Sequence, residues 1–168
     1  MIPLPSIRVM PNGTWDLILD RAIEWRKVAD KQDDPFLKFA IEYIAFNALC
    51  RAKYGYKKKD RDIIESLKKE LPPSRIPKDK ISKLKEIAPI VNVRNAYLDK
   101  DRHILHPEDL DDPSNVIEAV YWARNNLFHG DKQYSFEKDQ KLVEIGYEIL
   151  LDINDWLIEE ITKEESES

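Results

Sequence analysis

Disulfide chemistry is closed to this chain, because Cys50 is its only cysteine. A fold stapled by internal bridges is excluded. The one thiol sits in "IAFNALC", an apolar setting that reads as core filling in a reducing compartment. Glycine is also scarce, at four in 168 residues, while the ten prolines gather between periodic segments. That balance favours helices joined by short connectors over a turn-rich sheet. No run of apolar residues approaches the length that spans a bilayer, and "MIPLPSIRVMPNG" has no basic region followed by an apolar stretch. The expectation is a cytoplasmic protein with no membrane partner. An excess of positive charge is missing too: 27 Lys and Arg face 32 Asp and Glu, for a net charge of −5. Affinity for phosphates rests on Lys and Arg, so a general nucleic-acid coat protein is excluded and any such role must be local.

What is present is a chain 42% apolar and 35% charged, long enough to bury one core. Residues 1–13 read as an N-terminal extension, 14–162 as a single helical domain, and 163–168 as a charged, fraying tail. Thr14 is the expected cap of a first helix whose apolar residues recur at Trp15, Ile18, Leu19, Ala22, Trp25 and Ala29. In "DDPF", Asp34 caps and Pro35 opens a second helix running to about Lys53, apolar on nearly every side and therefore expected at the centre of a bundle. A turn at Gly55 precedes a third helix from about Asp60 to Glu70, and a fourth runs from about Asp79 to Ala88. Asn92 to Asp112 is poorly patterned, with one short helical turn after Pro107. Asp112 and Pro113 open a fifth helix to about Phe128, and Ser135 with Glu137 opens a long sixth. Nothing reads as a strand. The fold class is a compact all-α bundle of about five to six helices.

One stretch resists a purely structural account: "YWARNNLFHG", Tyr121 to Gly130. Val116, Val120, Ala123 and Leu127 share one stripe and should face the core. Ile117, Tyr121, Arg124 and Phe128 form a second row, left free to meet another surface with a functional arginine in it. His129 is four residues from Asn125 and ends the helix against Gly130, a left-handed cap. The negative end of the helix dipole there favours the imidazolium form.

"RNNLFHG" resembles the arginine, four to six residues, histidine motif of HEPN domains, with four residues between and the frequent asparagine directly after the arginine. "YIAFNALC" resembles the second-helix signature of some branches, and the likeness spans Thr14 to Ile161. The resemblance implies an all-α homodimer in which two motifs meet across the two-fold axis. It implies a metal-independent endoribonuclease of the toxin or phage-defence type, with an antitoxin or defence partner, or a relative that has lost catalysis and only binds. One departure stands out. The tyrosine that some antitoxins modify, two residues after the histidine, is Asp131 here, and Tyr134 does not match.

The residues support that chemistry on their own terms. Cutting RNA without a metal needs a proton moved from the 2′-hydroxyl and charge stabilised on the phosphorane. A histidine titrating near neutrality serves as acid or base, and an arginine fork holds two phosphate oxygens. The catalytic candidates are therefore Arg124, His129 and Asn125, with no cofactor and no metal. Asn125 and Asn47 would orient these groups. RNA would be cut to a 2′,3′-cyclic phosphate and a 5′-hydroxyl, and DNA, lacking the attacking oxygen, would be inert. The substrate-binding candidates are Asn47, Lys57, Lys58, Lys59 and Lys132. The lysines at 57–59 belong to "RAKYGYKKKDR", whose six basic residues and one acid give a local charge of +5 with two interleaved tyrosines. A solvated connector is the plain alternative.

Three other features carry less. "DRHILHPED" sets His103 and His106 among carboxylates, but their spacing on an irregular segment is poor for a metal, and surface histidines are the expectation. Glu42, the one acid in the apolar second helix, has two readings: an exposed pair with Lys38, or a contact that supports Arg124. Asn47 falls in the row Phe36, Ala40, Tyr43, Asn47, which should be buried, where a backbone group would satisfy its amide.

Overall fold

A computed structural model describes residues 14–92, 104–129 and 136–167, apart from the side chains of 14–16, 128, 129, 136, 165 and 167. The fold is all-α, with six helices among the described residues: α1 (Thr14–Asp30), α2 (Pro35–Tyr54), α3 (Asp60–Glu70), α4 (Lys78–Ile87), α5 (Pro113–His129) and α6 (Phe136–Glu167). Short 3-10 turns at Pro73–Arg75 and Pro107–Asp111 connect them. The local signals act as expected. The Asp34 carboxylate accepts from the Phe36 N–H at 2.8 Å and Pro35 opens α2. Gly55, at φ +120°, closes α2 by donating its N–H to the Arg51 carbonyl at 3.0 Å. The Asp112 carboxylate likewise accepts from Ser114 N–H at 2.9 Å at the start of α5.

α5 ends at His129, as expected. Two features differ from expectation. α6 continues to Glu167, so residues 163–167 prolong a helix rather than fraying. The poorly patterned region supplies a two-stranded antiparallel pair, β1 (Ile90–Val91) with β2 (Ile104–Leu105), in which Ile90 faces Leu105. Two residues per strand are too few for a period to register in sequence. The pair is fastened to α5 by Asn126, whose side-chain amide donates to the Val91 carbonyl at 2.8 Å.

α2 packs chiefly between α1 and α6, and α5 lies against α6 and α3. Phe39 and Leu49 of α2 meet the Ile149, Leu150, Ile153, Leu157 and Ile161 side of α6 in a core of fully buried side chains. Cys50 is buried there as well, and burial pushes its thiol pKa up, which keeps it unreactive. Gly146 of α6 is required by close approach: a Cβ there would stand 2.8 Å from the Phe39 ring. Trp25, expected in the core, is 42% exposed on α1.

Glu42 has neither of its expected roles. Fully buried, it accepts from Arg26 Nε at 2.9 Å and from the Asn154 amide at 2.7 Å, while Arg26 also pairs with Asp155 at 2.8 Å. The pair joins α1, α2 and α6, and the Arg26 guanidinium opposes a charge that would be costly to bury alone. Lys38 instead donates to the Asp30 carbonyl and lies over the Tyr147 ring. No helix among the described residues is long and apolar enough to cross a membrane.

Candidate functional site

Arg124 leaves α5 on the side that meets α2 and α3. Its guanidinium stands 5.8 Å from the centre of the Tyr43 ring, donates to Asn125 Oδ1 at 2.9 Å, and reaches Asp60 at 3.9 Å. The side chain remains 28% exposed, so the bundle holds the guanidinium at a part-exposed position. Tyr43 is itself buried, and its pKa is pushed up by that burial against the opposing pull of Arg124, so it acts as a neutral ring under the cation. Asn47 follows Tyr43 by one turn of α2 and is half-buried, as are Phe36 and Ala40 of the row expected to be inside. Asn125, half-buried, orients the arginine beside it.

The connector before α3 comes to the same place. Arg51 donates to the carbonyls of Tyr56 at 3.0 Å and Lys58 at 2.8 Å, and pairs with Asp60 at 2.7 Å. Asp60 thus lies between Arg51 and Arg124, and the loop carrying Lys57, Lys58 and Lys59 is tied next to the candidate site. Those three lysines are exposed. The other basic residues of the run are structural. Lys53, 8% exposed, pairs with Glu164 and Glu70 and lies near the Trp156 ring. Arg61 grips Glu118 with both nitrogens, at 2.7 and 2.6 Å. The local charge of +5 therefore overstates what a phosphate would meet.

Glu118 is the buried acid that the sequence did not single out. It lies on α5, where Lys68 joins Arg61 in binding it, at 2.6 Å. Burial alone would raise its pKa, but the hydrogen bonds and charges of Arg61 and Lys68 prevail and bring it to about 2. This cluster locks α3, and with it the lysine loop, onto α5. Its signal in sequence was only one acid within the buried side of a helix.

The second row of α5 is not the open face expected. Ile117 is 3% exposed within the core, and the Tyr121 ring is covered by the Arg61 guanidinium at 5.1 Å. Packing of α3 covers the Ile117 and Tyr121 part of the row, while Arg124 stays part-exposed and the Phe128 side chain lies outside the described residues. On the first row, Val116, Val120 and Ala123 are buried as expected, and Leu127 is partly so.

His129 is the last residue of α5. Its side chain, the Gly130 cap, Asp131, Lys132, Tyr134, Ser135 and His103 lie outside the described residues. At the opposite end of that connection, Asp139 stands in the first turn of α6, and burial pushes its carboxyl up to about 6. Sequence spacing gave no hint of this group. His106 is exposed and opens the 3-10 turn by donating its N–H to the Asp109 carboxylate at 2.8 Å, which accounts for one of the acids around it.

The arrangement offers a held guanidinium, an amide beside it, three exposed lysines within the same locality and a histidine ending the helix. Its chemistry suits recognition of phosphate oxygens, with a histidine five residues further along the same helix. Family models, curated proteins and solved structures were each compared with the chain, and none matches it.

Proposed function

We propose that this chain is a HEPN-type, metal-independent endoribonuclease that works as a homodimer. The observation that carries the reading is the setting of Arg124: a part-exposed guanidinium fixed over Tyr43, beside Asn125, with the exposed Lys57–Lys59 loop clamped alongside and His129 ending its helix. Arg124 clamps the non-bridging oxygens of the scissile phosphate as their charge grows. His129 withdraws the proton of the 2′-hydroxyl, whose oxygen attacks phosphorus; the bond from phosphorus to the 5′-oxygen breaks, and a second histidine protonates that oxygen. One chain brings one motif, so the second acid–base group comes from a second copy. Asn47 and Asn125 orient, while Lys57, Lys58, Lys59 and Lys132 track the RNA backbone. The expected setting is the cytoplasm, with an antitoxin or defence partner restraining the activity.

The test is RNA incubation with purified protein, with and without chelator. Cleavage to 2′,3′-cyclic phosphate and 5′-hydroxyl ends, insensitive to chelator and lost in both Arg124→Ala and His129→Ala, is the expected result. Intact RNA in the presence of folded dimer would refute it. A second reading, a helical module that only dimerises or binds a partner, is favoured by one observation: Leu37 and Ile44 of α2 are 51% and 43% exposed. It predicts association without cleavage.

A further inference from the structure

Arg124 has a carboxylate for a neighbour, an odd companion for a group that is to hold phosphate. Asp60 opens α3 and divides its two oxygens between two arginines. Oδ1 accepts from Arg51 at 2.7 Å, a charge-assisted hydrogen bond. Oδ2 stands 3.9 Å from the Arg124 guanidinium, beyond hydrogen-bond length. Asp60 therefore acts on Arg124 through its field rather than by taking one of its hydrogens. The carboxylate is also held in place. Arg51 donates to the Tyr56 and Lys58 carbonyls as well, and α3 is locked onto α5 by Arg61 and Lys68 on Glu118. A charge fixed in this way does not turn aside when an anion arrives. At 41% exposure, it also faces whatever binds there.

We propose that Asp60 is a specificity-determining residue, setting the charge of the anion that Arg124 accepts. It favours the monoanionic diester inside a strand over the dianionic monoester at a strand end. The proposal rests on the reading of Arg124 as the phosphate clamp. A phosphate oxygen about 2.8 Å from the near nitrogen of Arg124 lies within about 7 Å of Asp60 Oδ2, because the two distances add to no more. That separation is inside the screening length of about 8–10 Å at moderate salt. Coulomb energy scales with the charge of the ligand. An internal diester carries one negative charge, and a terminal monoester carries nearly two above its second pKa of about 6. Asp60 thus repels the monoester about twice as strongly. Arg51 and the exposed Lys57–Lys59 attract either ligand, so binding survives and the ratio between the two is what changes. An enzyme that cuts within strands gains from this, because free nucleotides and phosphorylated ends compete less for its clamp.

The experiment titrates the full chain at about pH 8 and low salt, read by NMR, with two probes that each carry one phosphate. One is the dinucleotide of deoxycytidine, a diester that lacks the attacking 2′-oxygen. The other is deoxycytidine 3′-monophosphate. Comparing their ratio between variants cancels differences in the rest of the probes. Asp60→Asn should bind the diester at least about threefold, and the monoester about tenfold, more tightly than wild type. Asp60→Glu keeps the charge and should keep the wild-type ratio. Asp62→Asn makes the same change of net charge at an exposed position about 200° round α3, and should leave the ratio unmoved. Adding Arg124→Ala to Asp60→Asn should abolish the gain. Asp60→Ser supplies a second neutral variant, since serine also suits a helix start, and helical spectra and melts establish that each is folded. A ratio unmoved in folded Asp60→Asn or Asp60→Ser, a shift reproduced by Asp62→Asn, or a gain that persists without Arg124 would each overturn the selector. So would a failure of every variant to bind either probe, which would also remove Arg124 as the clamp. A ratio that shifts through Arg124 while RNA stays intact sustains the selector and sinks the nuclease reading. RNA cut by a protein whose ratio does not move does the reverse.

Discussion

Replacing Glu118 by glutamine removes one charge from the α3–α5 lock while keeping the side chain's volume. The wild-type carboxylate is 10% exposed and takes bonds of 2.6–2.7 Å from Arg61 and Lys68. Its pKa, lowered from 4.5 to about 2, corresponds to roughly 3 kcal/mol of stability at neutral pH. Arg61 is 47% exposed, so water already screens part of the attraction. The expected loss in Glu118→Gln is about 2–3 kcal/mol, or roughly 5–10 °C in the melting temperature of a domain this size. The sign with pH is fixed by the depressed pKa. The contribution is fully present above about 4.5 and is lost as pH falls towards about 2. Urea unfolding of both proteins at about pH 7, 4 and 3 should therefore give a gap that narrows steadily with acid. A gap under ~0.5 kcal/mol at neutral pH, within the scatter of ordinary surface substitutions, would refute the lock. So would one that persists unchanged into acid. Because the lock also carries the lysine loop, any RNA affinity of the variant should fall with its stability.

Three further outcomes follow from particular contacts. Gly146→Ala should lower stability by about 1–3 kcal/mol through overpacking against Phe39, and a thermal melt of Gly146→Ala with Phe39→Leu should recover part of it. Asp139→Asn should be more stable than wild type at neutral pH, because the folded state resists ionising this carboxyl; the advantage should vanish as pH falls from about 6 to about 3.8, and equal stability at neutral pH would contradict the burial effect. Alanine at Lys57, Lys58 and Lys59 together should flatten the salt dependence of single-stranded RNA binding by about two logarithmic units per decade, read by fluorescence anisotropy. An unchanged slope would show that the loop does not meet phosphates.

The sequence by itself determined the helices and their ends. Asp34 before Pro35, Gly55 after Tyr54 and Asp112 before Pro113 act through hydrogen bonds that span two to four residues, so their effect is settled before any long-range contact forms. It also determined which stripe of α5 carries Val116, Val120 and Ala123, and that Arg124 and His129 share one helix end. The tertiary structure alone decided which charge meets which. Glu42 and Asn154 lie 112 positions apart, and Arg61 and Glu118 lie 57 apart. Such pairs depend on how helices pack, and a single sequence records no spacing for them. The same holds for Ile117 and Tyr121, which α3 covers, and for Arg124, set over Tyr43 and not against Glu42. Burial is a property of the assembled bundle: α2 is apolar on almost every side, and only the placement of its neighbours distinguishes the side that is core from the side that is left open.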